Sequence, residues 1–506
     1  MTFKQAANLA VLTCAALLKT TCIIGLVMLT ACGKPPRTSS DWWGPAECEI
    51  VHGQPESANS VTVALLEPVD PVHAPYPRNT SEQIVFRHLY QTLIRIDCFG
   101  EVRPDLAGSW DSKEGGRTWT FELNEDAYFW DGTPLTARDV LNSWRSGSIK
   151  KTALCYDVDS TSAEGERILN VHFRHPYKKV PRLLSASEFS VAKPAVDSKW
   201  PLGSGPYQIV TSKRESAGMF KRTITAYPYY NSEGSIVQFV EASTYDARDL
   251  LESAVDMMVT ADPAVIDYAG KQPNLETVAL PWDRTYVLVS ISRFQELRQG
   301  GAPGAISPSL SEELARDAVR SDARGFTSPA WWEELADCSD ADRIISETIQ
   351  TTWETFSSSG SQRILYDAGD PVSRDIAERL IALAIANPNA SPATAALIAA
   401  VPGLGDDTQG MIAQGLRTAE LAQSLREGSD FAYIISIPRR LADPCCGARD
   451  LIAQIPWLAE LGNAFTKVVV PLVDTRSHVI ANSTGVGLSI DWYGNVLIMN
   501  GMQPER

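Results

Sequence analysis

Along Ser60–Leu66 apolar and polar positions alternate through a β-branched run that Pro68 and Pro71 then stop, which predicts a strand. The period changes immediately afterwards. Ile84, Val85, Leu89, Leu93 and Ile96 share one face of a 3.6-residue repeat, predicting a helix from Ser81 to Ile96 with Ser81 as its N-cap. Strand text returns at Trp119–Leu123, Ile168–Phe173, Gly205–Val210, Arg222–Ala226, Ile236–Ala242 and Tyr286–Ile291. Between the first two of these, Thr136 and Asp139 have the spacing of a capping box with Asp in place of Glu, opening a helix that runs to Trp144. From Ser307 to Leu425 the text is Ala-rich and helical, broken at Ser357–Gly360 and Val401–Gly403. Arg363–Tyr366 and Tyr433–Ser436 read as buried strands beside helical text, which predicts an α/β lobe. Short strands at Lys467–Leu472 and within Gly487–Ile498 close the chain.

The first residues follow a different logic. An apolar run from Ala6 to Leu18 is interrupted by Lys19, and a second from Cys22 to Ala31 is too short for the roughly 20 residues that span a bilayer. It ends in Leu29-Thr30-Ala31-Cys32, which resembles the bacterial lipobox, so residues 1–31 read as a lipoprotein signal peptide and Cys32 as the lipidated residue. Residues 32–59, opening with the polar Gly33–Ser40, read as a tether. The reading places the protein in the cell envelope on the periplasmic side, lipid-anchored in the outer or inner membrane. Gly33 rather than Asp after the Cys favours the outer one in a double-membrane cell.

A length of 506 residues predicts two to four compact units. The formal charge of −16, from 61 acidic and 45 basic side chains, argues against a nucleic-acid partner, which needs a basic face to neutralise phosphates. Of nine Cys, the leader pair Cys14 and Cys22 and the lipidation residue Cys32 leave Cys48, Cys98, Cys155, Cys338, Cys445 and Cys446 in an oxidising compartment. Six Cys allow fifteen pairings, and all stay open. No HExxH, GxSxG or P-loop occurs, and His172 and His175 fall on opposite faces of a strand and its exit. The expectation is therefore no enzyme, no metal and no cofactor.

Several pieces arrive in an order with a family resemblance. They are Phe86–Asp97, Pro104–Trp110, Trp119–Leu123, Trp130–Val140 with Trp144, Gly203–Tyr207 and Ala247–Met258. The series resembles the family 5 solute-binding proteins of ABC transporters, the oligopeptide, dipeptide and nickel binders. It covers Ser60 to Arg293 and fades afterwards. The resemblance implies an α/β, two-lobe periplasmic-binding-protein-like fold (class II, cluster C) with an extra N-terminal subdomain and a central ligand cleft. Lobe I would take residues 60–80, 195–285 and 467–506, the N-terminal subdomain 81–194, and lobe II 286–466. The implied function is to bind a peptide-like or other small solute and deliver it to an ABC permease, as a monomer held to the membrane by lipid. The alternative is an envelope interaction or signalling lipoprotein that kept the scaffold and left transport.

The same resemblance points to site residues. Peptide binders of the family anchor the ligand's amino terminus on an Asp of the second lobe, followed by an Asp-Pro pair. Here the corresponding stretch is Ile437–Pro444, where Asp443 fits the trailing pair while Arg440 or Leu441 falls near the anchor position. Arg439 and Arg440 in place of a carboxylate suit an anionic ligand group, since guanidinium binds carboxylates in bidentate fashion; the other reading is a solvated turn. Glu67 ends the strand that borders the cleft in the family, and Trp282 and Tyr286 flank the crossover toward the second lobe, where they would stack on ligand. Tyr128, Trp130, Gly203 and Gly205 read as structural.

Overall fold

The computed structural model describes residues 48–52, 60–146, 158–174, 176–196, 198–214, 220–229, 235–242, 246–253, 255–300, 324–326, 363–386, 412–428, 432–439, 451–452, 454–458, 461, 468–482 and 487–499. Residues 1–31, Cys32 and most of the predicted tether, all but 48–52, lie outside them. Among the described residues no helix is long and apolar enough to cross a membrane.

Ser60–Leu65 forms the predicted strand and occupies the middle of a seven-stranded sheet. The order is Leu275–Ala279, His478–Asn482, Met257–Thr260, Ser60–Leu65, Ile236–Glu241, Arg222–Pro228, Tyr207–Arg214. It runs parallel to both neighbours, and a parallel strand in a sheet covered on both faces buries both sets of side chains. Val61, Val63 and Leu65 enter the core shared with the helix Thr80–Leu89, while Ala64 enters a second core with Leu250 and Val265 from two short helices. This is lobe I.

The helix differs from its prediction at both ends. Asn79 is the N-cap, its Oδ1 accepting the Glu82 N–H at 2.8 Å, and Ser81 lies inside the first turn. The helix stops at Leu89 because the segment carrying Gly203 and Gly205 is seated on its C-terminus. The Gly205 N–H donates to the Leu89 oxygen at 3.0 Å, and a Cβ at position 205 would lie 2.5–2.6 Å from His88 and Leu89 backbone atoms. Trp130 packs into the same place, its indole N–H donating to the Gly205 oxygen at 3.2 Å, so the structural reading of these residues holds. Beyond the helix the apolar residues Ile94 and Ile96 belong to a strand paired with Val102–Pro104.

The N-terminal subdomain has its own four-stranded antiparallel sheet, in the order Ala107–Lys113, Thr118–Leu123, Ile168–Phe173, Val158–Glu164. The helix Ala137–Ser146 packs beside it and begins at the predicted capping box: the Thr136 N–H donates to Asp139 Oδ2 at 2.9 Å and the Asp139 N–H to Thr136 Oγ1 at 3.3 Å. Its core runs from Leu93 to Val191, so the helix Thr80–Leu89 packs with lobe I although the predicted subdomain began at residue 81. A small sheet of Glu49–Val51, Gly487–Ile490 and Val496–Met499 lies on the lobe I core through Val51, Leu488 and Val496. A Cys48–Cys98 disulfide ties it to the subdomain; Cys155, Cys338, Cys445 and Cys446 lie outside the described residues.

Lobe II is a six-stranded sheet ordered Arg324–Phe326, Val469–Thr475, Arg284–Ser290, Ala432–Pro438, Arg363–Asp367, Ile412–Leu416. Along Arg284–Ser290 the alternation serves two cores: Val287 and Val289 meet Leu421 and Trp457, while Tyr286 and Leu288 meet Ile376 and Leu380. Val469–Thr475 pairs with Arg284–Ser290, so lobe I resumes only at His478 and not at residue 467 as predicted. The apolar run there fits a central strand, and Pro471, which has no N–H to donate, sits at its register shift.

Candidate functional site

Two strand segments carry the chain between the lobes, and they run side by side. The Leu280 N–H donates to the Ser477 oxygen at 2.9 Å and the Asp283 N–H to the Thr475 oxygen at 3.2 Å. Beside this double crossover lies a cavity of about 190 Å³, partly open to solvent. Lobe I lines it with Val259 and Leu280, the first turns of the helix Thr80–Leu89 with Thr80 and Gln83, and lobe II with Arg284 and Pro438. Asp283 of the crossover and Tyr493–Val496 of the C-terminal turn complete the wall. A second cavity of similar volume, about 190 Å³, lies against the N-terminal subdomain and includes Arg87, Thr92, Ser185 and Glu188. Gln83, Pro438, Tyr493 and Asn495 line both, so the two are neighbouring parts of one region where lobe I, lobe II and the subdomain meet.

The C-terminal turn is held by Asp491, whose Oδ1 accepts the N–H groups of Tyr493 at 2.9 Å and Asn495 at 3.0 Å. Gly494, at φ +78°, supplies the left-handed residue that the turn requires. Arg87 Nε donates to Asp491 Oδ2 at 3.2 Å and Gln83 Nε2 to Asn495 Oδ1 at 2.6 Å, which docks the turn onto the helix. The Tyr493 hydroxyl lies 3.0 Å from Ser185 Oγ, and burial holds its phenol well above the ordinary value. Asp283 is lifted as well, to about 6, because burial outweighs the neighbouring Arg284 and two backbone N–H groups.

Of the residues singled out from sequence, Glu67, Trp282, Tyr286 and Arg439 are not among those lining these two cavities. The Glu67 carboxylate accepts the N–H groups of Thr80 at 2.9 Å and Ser81 at 3.3 Å, holding the helix start that lines the cleft. Trp282 is stacked by Arg476, whose guanidinium carbon lies 4.6 Å from the ring centroid. Tyr286 is buried and donates to Asp370 Oδ2 at 2.9 Å; burial and that carboxylate push its phenol far up. Arg439 pairs with the fully buried Asp474, and its N–H donates to the Asp283 oxygen at 2.7 Å. Arg440 and Asp443 lie outside the described residues. Asp283 and Arg284 sit between two singled-out aromatics, and only the strand alternation through Tyr286 could have drawn attention to them. Gln83 and Asn495 carried no sequence signal.

Two α/β lobes on a double crossover, with a subdomain inserted in the first and a cavity at the junction, define a two-lobe, periplasmic-binding-protein-like fold. Residues 101–302 match the family model described as bacterial extracellular solute-binding proteins, family 5 Middle. The chain is 28% identical over 187 residues to the nickel-binding periplasmic protein of Escherichia coli (strain K12), covering 34% of this chain and 35% of the relative. It is 40% identical over 75 residues to the periplasmic oligopeptide-binding protein OppA of the same organism, covering 15% and 14%. To the glutathione-binding protein GsiB of E. coli O1:K1 / APEC it is 23% identical over 312 residues, covering 51% and 60%. The sequence matches thus span less than two thirds of these relatives.

The fold match reaches further. The E. coli murein tripeptide binding protein MppA superposes with a TM-score of 0.55 at 14% identity, covering 88% of this chain and 99% of that one. NikA from Brucella suis, in complex with Fe(III)-EDTA, gives 0.55 at 14% identity, covering 87% and 100%. The match over residues 101–302 makes that part of the chain similar to the family 5 bacterial extracellular solute-binding proteins, and the chain as a whole has their two-lobe fold.

Proposed function

We propose that this chain is an exported, lipid-anchored substrate-binding protein of an ABC importer, which takes a peptide-like or other small solute between its lobes and delivers it to a permease. The observation that carries the reading is the cavity at the hydrogen-bonded double crossover, walled by both lobes and adjoining the second cavity against the N-terminal subdomain. Two short strands are a hinge about which lobes close over a ligand, and a concave junction with a few convergent polar groups is where a small molecule binds. The relatives' printed names, for oligopeptide, nickel and glutathione binding, support a small solute and a transport role. They are binding proteins, which supports the reading without catalysis. Cys32 is the proposed anchor, on the periplasmic side of the envelope.

The test is native mass spectrometry of the full-length chain isolated from the envelope. The expected result is a retained solute of defined mass. A chain that is empty, and whose melting does not shift with peptides, sugars or organic acids, overturns the transport reading in favour of an envelope interaction lipoprotein.

A further inference from the structure

The turn at Phe99 is bonded to the first described residue of the chain. Cys48, sixteen positions after Cys32, forms its disulfide with Cys98, which sits in the turn joining the hairpin strands Ile94–Ile96 and Val102–Pro104. The turn itself is closely held. Buried Asp97 accepts the N–H groups of Phe99 at 3.1 Å and Glu101 at 2.9 Å on Oδ1, and Arg103 Nε at 2.8 Å on Oδ2. Gly100, at φ +86°, gives its oxygen to Arg182, whose guanidinium carbon lies 4.9 Å from the Trp492 ring centroid. A Cβ at position 100 would come within 2.6 Å of Arg182 Nη2 and 3.0 Å of Trp492, so the turn rests on a filled floor.

On that fixed backbone Phe99 is held out at 61% exposure. The charges around it differ from those of the whole chain, whose formal charge is −16. Arg95, Arg103 and Arg182 stand at or beside the turn. Asp97 is taken up by Arg103, and Asp491, which bridges to Asp97, by Arg87. Glu49, next to Cys48, faces His52 at 3.2 Å. Glu101 is left as the exposed acid of the hairpin.

We infer that the Phe99 turn is the membrane-facing surface of the protein, its ring entering the headgroup boundary of the bilayer that holds Cys32 and the neighbouring arginines meeting lipid phosphates. The inference rests on the lipid-anchor reading and adds to it which face meets the bilayer. An aromatic ring with basic neighbours suits a boundary that is apolar on one side and wet on the other, and guanidinium groups bind phosphate oxygens. The covalent link selects the face. Sixteen residues reach at most about 55 Å when fully extended, less than the roughly 60 Å across a compact chain of 506 residues. The side of the molecule away from Cys48 therefore cannot lie on the membrane in which Cys32 is anchored, whereas the Cys48–Cys98 side can.

The experiment puts the photoreactive residue p-benzoylphenylalanine in place of Phe99 in the full-length chain matured in a bacterial envelope. A control chain carries it in place of Ile412, 53% exposed on the outer edge strand of lobe II. Each chain is irradiated in the intact envelope and, after purification, in vesicles of phosphatidylethanolamine and phosphatidylglycerol, and its peptides are read by mass spectrometry. Phospholipid adducts at position 99 are expected to exceed those at position 412 at least tenfold in both settings. Equal lipid yields at the two positions, or adducts at 99 with a protein of the envelope and none with lipid, overturn the assignment of this face. The peptide carrying Cys32 reads the anchor separately. A lipidated Cys32 with no lipid adduct at 99 leaves the anchor standing and sinks the inference, whereas an unmodified Cys32 overturns both.

Discussion

His88 Nε2 accepts the backbone N–H of Ile498 at 3.1 Å, linking the helix that lines the cleft to the C-terminal strand 410 residues downstream. Its Nδ1 lies 2.7 Å from the Ile84 oxygen, an acceptor only, so the proton is on Nδ1 and the ring is neutral. Burial holds the imidazole down at about 4. Because the folded value lies below the ordinary 6.5, the folded chain binds fewer protons between pH 6.5 and 4. This contribution to stability is complete above pH 6.5 and falls by up to about 3 kcal/mol on acidification toward pH 4. His88→Leu leaves the Ile498 N–H unpaired and is expected to lose about 1–3 kcal/mol at pH 7.5. Urea unfolding at pH 7.5 and 5 should show a smaller acid loss in the variant than in the parent.

Asp283 has the opposite sign. Its folded value of about 6 lies above the ordinary carboxyl value of 3.8, so the folded chain binds more protons between those limits. The penalty on the charged form is absent at low pH and complete above pH 6. Asp283→Asn is therefore expected to raise unfolding stability by about 1–3 kcal/mol at pH 7.5 and to leave it unchanged at pH 4. Denaturant titrations of the ligand-free protein at the two pH values check this.

Asp474 is fully buried, accepts the Thr285 hydroxyl at 2.6 Å and pairs with Arg439. Removing the cation alone strands a buried charge, and Arg439→Met is expected to lose about 3–5 kcal/mol. The double change Arg439→Met with Asp474→Leu should recover most of that loss. A double-mutant cycle by urea unfolding reads the coupling directly.

The Cys48–Cys98 bridge closes a sequence separation of 50 residues between the small terminal sheet and the subdomain. A loop of that size restricts the unfolded chain by about 4 kcal/mol in the chain-entropy account. Cys98→Ser is expected to lower stability by up to that amount, with the urea midpoint of the variant moving toward that of the reduced parent.

Strands were legible wherever the alternation was strict, as at Ser60–Leu65, Trp119–Leu123 and Tyr286–Ser290, because period two describes a pleated, packed surface whatever lies across it. The helix after the first strand was legible in its face and not in its ends. Its apolar spacing runs on to Ile96, and Leu89 became the last residue only because a segment more than a hundred residues later brings Gly203 and Gly205 against it. The crossing point at the end of lobe II was misplaced for a related reason: the run from Lys467 looks alike in either sheet, and the partner strand decides.

What the sequence determined by itself is the order of the described strands and helices and the family resemblance, both of which depend on residues near one another in the chain. The cleft was decided by tertiary structure alone. Thr80 and Gln83, Asp283 and Arg284, Pro438 and Asn495 come from four distant stretches, and no local period marks them. Glu67, Trp282, Tyr286 and Arg439 were singled out from sequence through the positions that the family resemblance points to. In the fold none of them lines the two cavities and each holds a partner: Glu67 the helix start, Trp282 the Arg476 guanidinium, Tyr286 Asp370, and Arg439 Asp474. A side chain's type is written in the chain, whereas which of its neighbours satisfies it depends on packing, because a charge or hydroxyl takes the first partner that removes it from water.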